Sequence, residues 1–156
     1  MKFEVVFFQG QSSKWTELAS AEYVKKISTL VPFSEIAIRS PSRSRERAEQ
    51  KRQDEGLQLL KLLKANDRLI LFDEHGLAFR DSREFSKFLI KNLGVAGRLI
   101  FAVGGPYGFS SDVQKRAAMT ISLSNLTMNH HVARVVALEQ VYRALTIWKG
   151  LPYHND

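Results

Sequence analysis

Short apolar runs alternate with longer amphipathic stretches along this chain. Continuous apolar runs at residues 5–8, 69–72 and 99–103 predict strands that are covered on both faces. Residues 33–39 alternate instead, with Ile36 and Ile38 on one side, and residues 119–123 predict a brief fifth strand. Because helical stretches of ten or more residues separate most of these strands, the pattern predicts an α/β fold with a mostly parallel sheet flanked by helices.

The stretches between the strands predict five helices. The first begins at a Ser12-Ser13 cap and reaches about Ser28. A long polar helix ends in the leucines of residues 57–63, and further helices are expected near residues 82–91, 111–116 and 129–148. The apolar face expected for the first helix is Trp15, Leu18, Ala19, Tyr23, Val24 and Ile27.

Composition places the chain among ordinary globular proteins. Its 156 residues, 44% hydrophobic and 25% charged, contain no repeat or linker, which predicts a single domain over residues 1–156. No apolar run approaches the roughly 18 residues of a membrane span, and residues 1–8 read as a strand rather than a signal peptide. Cysteine is absent, which excludes disulfides, thiolate catalysis and zinc–thiolate sites. The expected location is the cytoplasm.

The charge balance favours a polyanionic partner. The formal net charge is +7, and bound Lys and Arg side chains release counterions from nucleic acids. A basic cluster surrounds the loop after the second strand and can contact RNA or be a solvated helix face. Its members are Arg39, Arg43, Arg45, Arg47, Lys51 and Arg52.

Two polar turns in the last third of the chain carry candidate chemistry. The strand at 99–103 runs directly into Gly-Gly-Pro-Tyr-Gly at 104–108, and a Ser/Thr-rich turn at 122–128 precedes the last helix. Both turns expose backbone N–H and C=O groups that can hold a polar ligand. The glycines do not form the dinucleotide fingerprint G-x-G-x-x-G. Taken alone, they also fit a sharp strand exit, and the second turn fits a simple helix cap.

Other polar residues allow both structural and functional interpretations. Asp73 follows the third strand and can bond its own backbone in a turn, and His75 beside it is expected to be solvated. His130 and Arg134 share one face of the last helix, where Arg134 can also pair with an acidic residue. Glu139 and Arg143 predict a structural ion pair. No His, Asp or Glu cluster has convincing metal-ligand spacing, and no serine lies in a nucleophile elbow.

The order and spacing of these pieces resemble the SPOUT superfamily of knotted methyltransferases. More narrowly, they resemble the bacterial family of ribosomal RNA large subunit methyltransferase H, which methylates N3 of a pseudouridine in 23S rRNA. The Pro-Tyr-His tail at 152–154 also matches this family. The resemblance implies a C-terminal trefoil knot, S-adenosylmethionine as cofactor, no metal, and a homodimer that acts on 23S rRNA in the assembled ribosome.

The resemblance also assigns roles to individual residues. It implies that a cofactor site is formed by Phe72, Gly104, Leu123, Ser124, Asn125, Leu126, Thr127 and Met128. It places the target nucleotide and the proton transfer near His130, Arg134, Tyr153 and His154, with the tail acting in part across the dimer. Asn129 stands where many relatives have proline.

Two other functions remain open from the sequence. One is methylation of a different RNA, such as tRNA, and the other is a non-catalytic RNA-binding or ribosome-associated module. A nicotinamide-dependent oxidoreductase ranks below both, because the dinucleotide fingerprint is absent.

Overall fold

Strands and helices alternate along the chain in a computed structural model, which describes residues 2–11, 13–40, 47–95 and 97–155. The strands are β1 (Lys2–Gln9), β2 (Phe33–Arg39), β3 (Arg68–Ala78), β4 (Arg98–Val103) and β5 (Met119–Ser122). The helices are α1 (Lys14–Ser28), α2 (Ala48–Leu62), α3 (Ser82–Leu93), α4 (Ser111–Arg116) and α5 (His130–Lys149).

The five strands form one parallel sheet in the order β2-β1-β4-β3-β5. All carboxyl ends therefore meet at one edge, which is where open parallel sheets bind ligands. The segments that follow β4, β3 and β5 lie side by side at this edge. The predicted α/β fold with a parallel sheet is thus confirmed, and the topology brings the two polar turns together.

Helices cover both faces of the sheet. Alternate residues of β1 point to opposite sides: Val5 and Phe7 join a core under α1, α3 and α5, whereas Val6 and Phe8 join a core under α2 and α4. Both cores are closed to solvent, as the continuous apolar runs of the central strands predict.

The expected apolar face of α1 is wrong at two positions. Trp15 and Leu18 expose 52% and 65% of their surface, whereas Thr16 and Ser20 are buried with Ile27. Because α1 packs against both β2 and α5, its small residues face inward and allow close approach, and its bulkier residues turn outward. The amphipathic pattern identified the helix but not its rotation.

The predicted end of β3 at Phe72 is also wrong. The strand continues to Ala78: after a break in register, Leu77 pairs with Ile121 and Ala78 pairs with Ser122 of β5. Gly76 permits this close pairing, since a Cβ there would lie 2.7 Å from the backbone of Thr120 and Ile121. The segment 73–76 therefore forms a bulge within a strand pair.

Candidate functional site

A cavity of about 180 Å³ opens at the carboxyl edge of the sheet, between the exits of β3 and β4, the turn after β5 and the start of α5. Most of the residues predicted to hold the cofactor line it, together with His130; these are Phe72, Gly104, Leu123, Ser124, Leu126, Thr127 and Met128. Asn125 lies instead in an adjoining cavity that shares Phe72, Leu123 and Ser124 with the first. The structure thus brings together elements that are more than fifty residues apart in the chain.

The glycines after β4 allow this wall of the cavity to pack tightly. A Cβ on Gly104 would lie 3.2 Å from the Phe109 ring, and a Cβ on Gly105 would lie 2.8 Å from Glu55 Oε2. Gly108 adopts a φ of 74°, and its N–H donates to the Gly105 carbonyl at 3.1 Å. A larger residue at position 104 or 105 would push Phe109 or Glu55 away from the loop. Because neither glycine has a side chain, their backbone atoms line the cavity.

The Ser/Thr turn is held by its own side chains. The Ser122 hydroxyl donates to the Ser124 carbonyl at 2.7 Å, and the Leu126 N–H donates to Ser124 Oγ at 3.0 Å. Asn129 then caps α5 by accepting the His131 N–H at 2.9 Å. Asn129 therefore fixes the entry to α5 through its side chain.

The bulge of β3 supplies carboxylates to the opposite wall. Asp73 accepts the His75 N–H at 2.9 Å, which confirms the predicted turn, and the His75 side chain is 86% exposed, as expected. Glu74 accepts the Thr127 hydroxyl at 2.5 Å, a bond that joins the β3 segment to the Ser/Thr turn. Asp73, Glu74 and Thr127 all line the cavity, so one wall carries negative charge.

His130 is the imidazole that faces the cavity. Its ring centroid lies 4.1 Å from that of His131. Burial, together with the positive charges of His131 and Lys51, holds the pKa of His130 below its usual value. The ring is therefore neutral near pH 7 and can accept a proton.

Arg134 forms hydrogen-bonded ion pairs with two glutamates. It is 5% exposed; its Nη1 donates to Glu17 at 2.8 Å, its Nη2 donates to Glu35 at 2.8 Å, and its guanidinium carbon lies 3.5 Å from the Phe7 ring centroid. The alternative prediction of an acidic partner is thus confirmed. These bonds tie the start of α5 to α1 and β2, and a catalytic role of Arg134 stays a prediction.

The C-terminal tail packs on the middle of α5 and does not line the cavity. Tyr153 donates to Glu139 Oε1 at 3.0 Å, and Arg143 Nη1 lies 3.2 Å from His154 Nδ1. The predicted Glu139–Arg143 ion pair is confirmed at 2.6 Å. Arg143 lies 13 residues after His130, which is about 20 Å along α5. Neither Tyr153 nor His154 lines the cavity that His130 faces.

Comparison with known proteins decides the family. The profile of the family described as "Predicted SPOUT methyltransferase" matches residues 1–154. This chain belongs to that family. Curated relatives named "Ribosomal RNA large subunit methyltransferase H" are similar over their full length: the Bdellovibrio bacteriovorus protein is 40% identical with 99% of both chains covered, and the Parabacteroides distasonis protein is 41% identical with 100% of both covered.

Solved structures confirm the fold of this SPOUT methyltransferase. A probable rRNA-methyltransferase from Porphyromonas gingivalis has a TM-score of 0.55 at 10% identity, covering 94% of this chain and 69% of that chain. A Legionella pneumophila methyltransferase in complex with bound SAM has a TM-score of 0.50 at 11% identity, covering 90% of this chain and 65% of that chain.

The remaining predictions concern charge and metal. Arg39 is exposed at the end of β2, and Arg52 pairs with Glu49 at 2.9 Å, whereas Arg43 and Arg45 lie outside the described residues. Within the described ranges, no group of three or more metal-ligating side chains could hold an ion. No helix in those ranges has both the length and the apolar character needed to cross a bilayer.

Three acidic residues of this SPOUT methyltransferase escape sequence analysis. Glu35 and Glu17 gain their role only through Arg134, about a hundred positions later in the chain. Glu55 lies in a helix that reads as polar, yet it is 3% exposed and contacts the glycine loop. Its signal in the sequence is the Glu-Gly pair at 55–56, at the point where α2 changes from polar residues to leucines.

Proposed function

We propose that this protein transfers the methyl group of S-adenosylmethionine to N3 of a pseudouridine in 23S rRNA of the assembled ribosome, in the cytoplasm. The observation that carries the proposal is the cavity at the carboxyl edge, where the glycine loop, the Ser/Thr turn and a neutral imidazole meet. Membership of the SPOUT methyltransferases and full-length relatives named rRNA methyltransferases support the reaction and the RNA class.

The residues around the cavity fit this cofactor. Phe72, Gly104 and the segment 123–128 offer backbone N–H and C=O groups to a base and a ribose, and Leu126 and Met128 offer apolar contact. The carboxylates of Asp73 and Glu74 suit the positive charges of the ammonium and sulfonium groups. When bound, the cofactor supplies an electrophilic methyl group.

A proton acceptor is needed beside the target base. The imide N3–H of pseudouridine is flanked by two carbonyls, and its proton leaves as the N3–methyl bond forms and the sulfur–methyl bond breaks, which leaves a neutral thioether. His130 is neutral and faces the cavity, so it can accept this proton directly. His154 is the second candidate. To stabilise developing negative charge on the base, as we also propose, Arg134 has to exchange one of its bonds to Glu17 or Glu35 for the base.

We further propose that a second copy of the chain completes the site. Tyr153 and His154 of one chain contact Glu139 and Arg143 on α5 and do not line the cavity of that chain, which suggests that they serve the cavity of a partner. Exposed apolar residues on α1 and α5 supply surface for such a dimer: Trp15, Leu18, Val132 and Trp148. The trefoil knot belongs to this proposal, and its support is the SPOUT family itself.

The reaction is tested by incubating the protein and methyl-labelled S-adenosylmethionine with assembled ribosomes, free 23S rRNA or tRNA. We expect label in the 23S rRNA of ribosomes and little in the other two substrates. Label in tRNA would show that the protein is a methyltransferase with a different RNA target. Cofactor binding without transfer to any of them would favour the non-catalytic module.

The shared site is tested by mixing two inactive variants, His154→Ala and Gly104→Val. Random exchange makes half of the dimers mixed, and each of these has one site with an intact cofactor wall and an intact tail from the partner. We expect about a quarter of wild-type activity to return. If the tail acts within its own chain, the mixture will stay inactive.

A further inference from the structure

Glu55 is a buried carboxyl that the proposed reaction does not use. It lies on α2 and is 3% exposed, and both carboxylate oxygens approach Gly105, since a Cβ on that glycine would lie 2.8 and 3.2 Å from them. Gly105 also lines the cofactor cavity. The carboxylate therefore contacts a residue of the cavity wall.

The surroundings hold this carboxyl in place. Gly56, next to it, packs against Ser110 and Val113 so closely that a Cβ would lie 2.4 Å from Ser110 Oγ. The α2 backbone is thus fixed against the start of α4, and Glu55 has no room to turn away from the loop. The alternative of a flexible surface glutamate does not fit this packing.

Two polar groups among the described residues act on Glu55. These are Ser40 and Lys51, and both favour its charged form. The Lys51 ammonium lies 5.9 Å from the Tyr107 ring centroid, on the exposed side of the loop. Burial raises the pKa of Glu55, and Ser40 and Lys51 oppose that effect. Buried ionisable groups with shifted pKa values are frequently found at functional sites.

We propose that Glu55 is a specificity-determining residue whose carboxylate, in contact with Gly105, favours the cationic cofactor over its neutral product. S-adenosylmethionine carries a sulfonium charge, and S-adenosylhomocysteine carries a thioether in its place; the two are otherwise the same. A negative charge fixed behind the cavity wall attracts the first and is indifferent to the second. Product release after methyl transfer is thereby favoured. The inference rests on the proposed cofactor and not on the RNA target.

The test compares Glu55→Gln with the wild-type protein by titration calorimetry, using S-adenosylmethionine and S-adenosylhomocysteine as the two ligands. Glutamine keeps the shape and removes the charge. We expect the affinity for S-adenosylmethionine to fall on the order of three- to tenfold and that for S-adenosylhomocysteine to stay unchanged. Glu49→Gln is the matched control, because Glu49 lies on the same helix and its side chain is 65% exposed; both affinities should stay as in the wild type.

Two outcomes would overturn the inference. An equal loss of affinity for both ligands would show that Glu55 only supports the loop. Unchanged affinities would show that its charge does not affect ligands in the cavity. If Glu55→Gln fails to fold, Glu55→Asp replaces it, since it keeps the charge but withdraws it from Gly105 by one methylene. The affinity for S-adenosylmethionine relative to that for S-adenosylhomocysteine should then be lower than in the wild type, by less than is expected for Glu55→Gln. An unchanged ratio contradicts the proposal. Failure of the wild-type protein to bind S-adenosylmethionine would instead overturn the proposed function itself.

Discussion

Tyr153 donates its phenolic hydrogen to Glu139 Oε1 at 3.0 Å, and this bond fixes the C-terminal tail to the middle of α5. The same oxygen accepts Arg143 Nη2 at 2.6 Å, and the Tyr153 ring stacks edge-on against Tyr142 at a centroid distance of 4.8 Å. The last residues of the chain are therefore part of the folded domain. A tail held this way can present His154 at a defined position to a neighbouring molecule.

Replacing Tyr153 with Phe should loosen the tail without unfolding the protein. The ring contacts remain, and the lost hydrogen bond is worth about 1 kcal/mol. We expect faster amide exchange at residues 151–155, and lower methyl transfer with unchanged cofactor affinity, because the cavity lies elsewhere. Amide exchange protection equal to that of the wild type would show that the bond does not hold the tail.

Replacing Arg134 with Ala should destabilise the domain strongly. The change leaves Glu35, whose side chain is 9% exposed, without its partner, and breaking such a buried pair costs about 3 kcal/mol. Chemical denaturation measures the difference. Lys26→Ala is the control, since its pair with Glu22 is exposed and contributes less than about 1 kcal/mol. Equal effects of the two substitutions would contradict the structural role of Arg134.

Replacing Thr127 with Val should weaken cofactor binding several-fold. The change removes the hydroxyl that joins the Ser/Thr turn to Glu74, so the two walls of the cavity are no longer tied together. Titration calorimetry with S-adenosylmethionine measures the effect. Thr29→Val serves as control, because it removes a comparable 2.7 Å bond to the Lys26 carbonyl away from the cavity. Equal affinities for both variants would show that the Glu74 bond is not needed.

Acid should destabilise the fold in part through Asp67. Burial alone would raise the pKa of Asp67, but bonds from Arg98 and the Lys64 N–H outweigh it and hold the pKa below its usual value. A depressed pKa in the folded state gives stability that is present above the unfolded value of about 3.9 and is lost as pH falls through the folded value. Urea unfolding from pH 7 to pH 2 should therefore show a shallower acid loss for Asp67→Asn than for the wild type. Identical curves would assign the acid sensitivity to other groups.

Local sequence signals predict the parts of this fold that depend on local physics. The buried runs gave β1 and β4 to within a few residues, and Ser110 caps α4 by accepting the Val113 N–H over the helix predicted at 111–116. The rotation of α1 could not be predicted, because Thr16 faces inward only through the packing of α1 on β2 and α5.

The candidate site also has features that local sequence signals predict and features that they do not. Glycines after a strand and serines before a helix are visible as motifs, and both line the cavity. The partners of Arg134 and the position of His154 depend on contacts between distant parts of the chain, which periodicity does not encode. Glu55 was missed because a glutamate in a polar helix is normally solvated.

The most direct test of the account is the chemical identity of the methylated nucleoside. Ribosomes from cells that lack this protein would be incubated with it and methyl-labelled S-adenosylmethionine, and the digested rRNA would be analysed by mass spectrometry against an authentic standard. The account predicts label in N3-methylpseudouridine from the large-subunit rRNA. Label in any other nucleoside, or none in rRNA despite measurable cofactor binding, would contradict it.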